Sequence, residues 1–132
     1  RVARRRQLFE QYRAALHDVD GIAWMPEPAG CVSTRWLTCL ALQGAGGAAR
    51  RDAVLRALER HAVEARPVWK PMHLQPLYAG APYFPHAPGE DVAAGLFDSG
   101  LCLPSGTVMA HTQVERVVGL LRRALESGHA LA

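Results

Sequence analysis

ARPVWKPMHLQPLY, residues 65–78, is the stretch on which the fold of this 132-residue chain turns. It holds three prolines (Pro67, Pro71, Pro76), two aromatic residues (Trp69, Tyr78), one histidine (His73) and Lys70, the single lysine of the protein. Each proline fixes φ near about −65° and removes a backbone donor, so the stretch forms neither a long helix nor a central strand. What remains is a stiff, extended loop, with room for one short helical turn after Pro71. Such a loop loses little entropy in holding Trp, Lys and His side chains in place, which suits a ligand site. The same residues equally suit a proline-braced connection in which Trp69 is core.

Upstream of the loop, residues 63–68 read as a short strand and residues 48–62 as a helix burying Val54, Leu55 and Leu58. The connector before that helix, Gln43-Gly44-Ala45-Gly46-Gly47, is a weak candidate for a phosphate cradle, because no Lys-Ser or Lys-Thr follows it. Residues 31–42, CVSTRWLTCLAL, read as a strand with Val32, Thr34, Trp36, Thr38 and Leu40 on one face. Asp20-Gly21 and the cluster at residues 26–30 are loop. Residues 2–17 carry Leu8, Phe9, Tyr12 and Leu16 at the spacing of an amphipathic helix.

Downstream, residues 80–89 contain Pro82, Pro85 and Pro88 and read as irregular. A short helix over residues 91–97 packs Val92, Leu96 and Phe97. Residues 100–104, GLCLP, read as a buried strand stopped by its proline, with Ser105-Gly106 turning the chain. The last helix, residues 111–126, has the cleanest helical period: Val114, Val117, Val118, Leu121 and Leu125. The order α–β–α–β–loop–α–β–α predicts an α+β fold, with a small antiparallel or mixed three-stranded sheet and helices packed on it.

Composition narrows the function classes. Hydrophobic residues at 49% and charged residues at 20% describe a folded chain of one domain. A net charge of +3, concentrated in Arg1, Arg4, Arg5 and Arg6 without aromatic interleaving, does not make a nucleic-acid interface. Three cysteines with no CxxC pair, and six scattered histidines, argue against a disulfide framework or a metal site and for a reducing cytoplasm. No apolar run reaches the ~20 residues of a membrane span.

The run ARPVWKPMHLQP, followed by GLCLPSG at residues 100–106 and a closing amphipathic helix, resembles the C-terminal small domain of the DegT/DnrJ family. These are pyridoxal-phosphate-dependent sugar aminotransferases of the aspartate-aminotransferase type of fold. The wording is most similar to the bacillosamine-type branch, which aminates 4-keto-6-deoxy UDP-N-acetylhexosamines, and so implies a place in polysaccharide biosynthesis. The resemblance implies that residues 1–132 are a single small domain, residues 1–17 its interdomain helix, and that the pyridoxal-phosphate-binding large domain is absent from this chain. It implies a nucleotide-sugar substrate, glutamate as amino donor, a homodimer, and pyridoxal phosphate in the full-length enzyme with none bound to this fragment. Two departures from the family concern stability. Ala62 stands where a glycine is common, at a cost of about 1 kcal/mol if it adopts the left-handed conformation. Ala110-His111-Thr112-Gln113 also replaces a Thr-led capping box, again at about 1 kcal/mol.

Lys70 belongs to the loop and not to the family's Schiff-base segment, so no catalytic residue is expected here. The expected contribution is one wall of a substrate cleft. Trp69 would stack on a sugar or base, Lys70 would neutralise a diphosphate, His73 would hydrogen-bond substrate and Arg66 would meet an anion. A structural alternative stands beside each: Trp69 as core, Lys70 as a solvated charge, His73 as a satisfied loop histidine, Arg66 as an ion pair. Tyr83 and His86 are weaker candidates for a lid. The competing function is a stand-alone or degenerate small domain acting as an interaction module.

Overall fold

The structure, a computed structural model, describes residues 1–129. Four strands form one antiparallel sheet: β1 (Ile22–Trp24), β2 (Thr38–Leu42), β3 (Arg66–Pro67) and β4 (Gly100–Leu103), in the spatial order β1-β2-β4-β3. Four α-helices accompany it: α1 (Val2–Ala15), α2 (Gly47–Arg60), α3 (Val92–Ser99) and α4 (His111–His129). The central ladder sets Thr38 opposite Leu103 and Leu40 opposite Leu101. Side chains alternate along a strand, so Thr38, Leu40, Leu42, Leu101 and Leu103 share one face. That face is buried against Leu8, Tyr12 and Leu16, Val54 and Leu58 of α2, and Val114, Val117, Leu121 and Leu125 of α4. The apolar stripes expected for the first and last helices are thus both found in the core.

Two polar ties fix the ends of this sandwich. The buried Tyr12 hydroxyl donates to the Pro104 carbonyl at 3.0 Å, and burial pushes its pKa well above the ordinary range. Ser105 Oγ accepts from the Thr38 backbone N–H at 2.8 Å and donates to the Leu103 carbonyl at 2.9 Å, joining the start of β2 to the turn after β4. Gly100 is required where β4 begins: a Cβ there would lie 2.7 Å from Val68 Cγ2.

The structure corrects the expected strands. The sheet has four strands rather than three, because Ile22–Trp24 pairs with β2 directly after the Asp20-Gly21 turn. Residues 31–37 are loop: Arg35 takes φ +47°, and Val32 and Trp36 are exposed. Side-chain bonds hold this loop in place of a ladder. Arg35 lies over the Phe9 ring at 3.9 Å, donates to the Met25 carbonyl at 2.8 Å, and pairs with Glu27, which also binds Arg6. The strand expected over residues 63–68 shrinks to Arg66–Pro67. Leu55 packs half-buried on the core as expected, whereas Val92, also expected to pack, is exposed.

Both capping expectations can be read directly. Ala62 has φ +53°, the left-handed conformation that penalises a Cβ. At α4 half of the reciprocal box survives, since Gln113 Oε1 accepts from the Ala110 N–H at 2.8 Å. Ala62→Gly is therefore expected to stabilise the chain by up to about 1 kcal/mol, and Ala62→Val to destabilise it. Leu121→Ala, at a fully buried site, should cost about 2–5 kcal/mol. Urea midpoints at constant slope would check the three values.

Candidate functional site

The proline-rich loop runs from β3 to α3 through two single 3₁₀ turns, Met72–Leu74 and Pro76–Tyr78, each following or containing a proline as its fixed φ allows. A cleft of about 600 Å³ opens where this loop leaves β3, against β4 and the turn that follows it. Its lining is mainly apolar, with Leu37, Val68, Phe97 and Cys102 contributing, and Arg66, Trp69 and Lys70 also border it. Three of the four expected site residues therefore meet at one cleft.

Trp69 is 62% exposed and is not core. It stacks on Trp36 with ring centroids 5.8 Å apart and planes inclined by 28°, so the loop before β2 and the loop after β3 together present an aromatic ledge. Trp36 had been expected on a strand face. The left-handed Arg35 beside it breaks the strand, and the ring sits with Trp69. Lys70 is exposed, and among the described residues no carboxylate pairs with it. Arg66 binds Glu64 at 2.8 Å, but both side chains are about three-quarters exposed. Such a pair contributes little in water and leaves the guanidinium available to an incoming anion.

His73 is placed elsewhere. Its Nε2 lies 2.7 Å from Asp91 Oδ2, and its ring stacks on Tyr83 with centroids 3.7 Å apart. Asp91 is the N-cap of α3: Oδ1 accepts from the Ala94 N–H at 2.9 Å and from the Tyr83 hydroxyl at 3.0 Å. These bonds, the backbone one foremost, hold the Asp91 carboxyl below the ordinary carboxylate range. Partial withdrawal from water, then the Asp91 bond, raises the Tyr83 hydroxyl. Asp91 is thus the hub of a clasp that ties two points of the proline-rich segment, His73 and Tyr83, to the start of α3. Asp91, expected as the first residue of the helix over 91–97, is instead its N-cap, and an aspartate immediately before a helical run is the sequence signal for that role.

Pyridoxal phosphate requires a lysine for covalent attachment, an acidic partner for its ring nitrogen and a phosphate cradle. Lys70 is exposed at the cleft rim and no carboxylate pairs with it among the described residues, so these residues do not fit that group. No group of three or more metal-ligating side chains occurs among the described residues, and no described helix is long and apolar enough to cross a membrane.

The profile of the DegT/DnrJ/EryC1/StrS aminotransferase family matches residues 1–122, and the chain belongs to that family. The Bacillus subtilis protein EpsN, named as a pyridoxal phosphate-dependent aminotransferase, is 44% identical over 121 residues, 92% of this chain and 30% of its own length. GDP-perosamine synthase of Caulobacter vibrioides is 32% identical over 92 residues, 68% of this chain and 23% of its own. Among solved structures, the aminotransferase TlmJ from Streptoalloteichus hindustanus matches with a TM-score of 0.79 at 30% identity, over 96% of this chain and 32% of that one. DesI, solved in the presence of its TDP-sugar product, matches with a TM-score of 0.79 at 26% identity, over 98% and 32%. The chain spans about a third or less of these relatives.

The clasp has a pH signature. A carboxyl whose pKa is depressed by folding stabilises the fold above its unfolded pKa and loses that contribution as pH falls through the folded one. Relative to the intrinsic exchange rate at each pH, exchange of the backbone amides of residues 70–90 should therefore be accelerated as the solution is acidified below the ordinary aspartate range. Asp91→Ala should produce the same acceleration at neutral pH, while amides of β2 and α4 stay protected in hydrogen-exchange mass spectrometry.

Proposed function

We propose that this family member is the C-terminal small domain of a pyridoxal-phosphate-dependent nucleotide-sugar aminotransferase, with the cofactor-binding large domain outside these 132 residues. The observation that carries the reading is the 44% identity across nearly the whole chain to a third of one named aminotransferase. Residues 1–17 are then the interdomain helix, and the cofactor, which supplies the amino-transfer chemistry when bound, is held by the large domain. The similarity of RPVWKPMHLQP to the bacillosamine-type branch supports a 4-keto-6-deoxy UDP-N-acetylhexosamine as substrate, with glutamate as amino donor. A cytoplasmic homodimer is the corresponding assembly.

In this reading the cleft is the small-domain wall of the substrate site. The Trp36–Trp69 ledge supplies a flat apolar face for a sugar or base, as aromatic faces do. Lys70 and Arg66 stand beside it as cations, the lysine as a point charge and the arginine as a planar fork, both suited to a diphosphate. His73, with Nε2 engaged by Asp91 and its ring stacked on Tyr83, braces this loop instead of lining the cleft. The clasp then holds the loop that presents Trp69 and Lys70.

Expressing the complete reading frame that encodes this chain, from its own start codon, tests the proposal. The expected product is about three times longer, carries the visible absorbance of bound pyridoxal phosphate, and aminates the 4-keto sugar nucleotide at the expense of glutamate. A reading frame that starts at or near Arg1, or a product that takes up no cofactor, overturns it in favour of an interaction module. In the full-length enzyme Lys70→Ala should raise KM by the equivalent of about 1–2 kcal/mol, leave kcat nearly unchanged, and do so less as salt rises. Unchanged kinetics would make Lys70 a solvated charge.

A further inference from the structure

Cys39 of β2 and Cys102 of β4 stand directly opposite each other in the central ladder, and both are free thiols. Their Sγ atoms are 3.5 Å apart. Because Leu40, Leu101 and Leu103 face the helices, alternation puts the two cysteines on the other face of the sheet, where Cys102 lines the cleft. Cys39 is partly exposed, while Cys102 is buried. Residues opposed in an antiparallel ladder have Cα atoms about 4.5–5.5 Å apart, inside the span of about 4.4–6.8 Å that a disulfide bridges. Side-chain rotation alone has to bring the sulfurs from 3.5 Å to about 2.05 Å. The strands cannot drift apart, because β2 and β4 are the two inner strands of the sheet.

We propose that Cys39 and Cys102 are a reversible dithiol–disulfide pair, a modification site in the sheet whose co-reactant is a low-molecular-weight disulfide of the glutathione type. The Cys39 thiolate attacks one sulfur of the small disulfide, forming a mixed disulfide and expelling one thiolate. Cys102 then gives its proton to solvent and attacks Cys39 Sγ, expelling the second thiolate. Two protein thiols and one small disulfide become one protein disulfide and two small thiols, with two electrons passing to the small molecule. The environment assigns the order: a hydrogen bond from Cys102 and the positive Arg35 favour the Cys39 thiolate, whereas Cys102 is held protonated. Cys31, exposed and apart from the pair, provides an internal reference.

The test uses the 132-residue chain carrying Cys31→Ser, equilibrated with mixtures of oxidised and reduced glutathione, quenched by acid and alkylated. Intact mass should show loss of two hydrogen atoms, and non-reducing peptide mapping should join the Cys39 and Cys102 peptides. Both alkylatable thiols should disappear together, independently of protein concentration, and return with dithiothreitol. Adding Cys102→Ser should trap the mixed disulfide on Cys39. Peptide mapping of the full-length product should find the same link. If Cys39 and Cys102 still alkylate fully where Cys31 of the unaltered chain is wholly converted to a mixed disulfide, the pair is inert packing and the proposal fails. A disulfide that forms only between molecules would overturn it equally.

Discussion

The register of β2 against β4 governs the molecule. With Leu40 opposite Leu101 and Thr38 opposite Leu103, every large aliphatic side chain of the two inner strands falls on the helical side. A slip of one residue would carry that whole set to the other face and leave α4's stripe without a partner, so the hydrophobic effect admits one pairing only. The Ser105 hydroxyl locks the same register from outside the ladder by bonding both the Thr38 N–H and the Leu103 carbonyl. Everything on the opposite face, including the cysteine pair and the cleft beyond it, is placed by that choice.

Helical stripes of this chain were legible because their period is written by the residues that do the packing: Leu8, Phe9, Tyr12 and Leu16 in the first helix, and the Val and Leu ladder of the last. The buried GLCL strand was legible too, being short, wholly apolar and closed by a proline. What could not be seen were elements defined by single side chains acting at a distance. Residues 31–37 have strand composition, yet one arginine in the left-handed region, bound to Met25, Glu27 and Phe9, outweighs propensity. β1 escaped notice for the reverse reason, being three residues long and made a strand only by its neighbour.

The candidate site shows the same division. A loop stiffened by prolines and carrying Trp69, Lys70 and Arg66 was apparent in the sequence, and these residues do border one cleft. Its second tryptophan was not, because Trp36 arrives from a different loop through a backbone conformation that no periodicity announces. Nor was the separation of His73 from its neighbours. The single turn Met72–Leu74 sets it on Asp91, so a residue three positions after Lys70 serves the loop's anchorage.

Strand addition from outside is disfavoured by the way this sheet ends. Its two rims are β1, three residues long, and β3, which has two residues of which one is Pro67. A proline contributes no N–H, and so short a rim offers an approaching chain too few backbone groups to build a ladder. The exposed arginine at the other β3 position adds a charge that an incoming apolar strand would have to desolvate. A protein that shows water Trp36, Trp69, Leu77 and Phe84 has every reason to stick to itself. Yet its backbone gives such encounters no template for growing into an ordered aggregate.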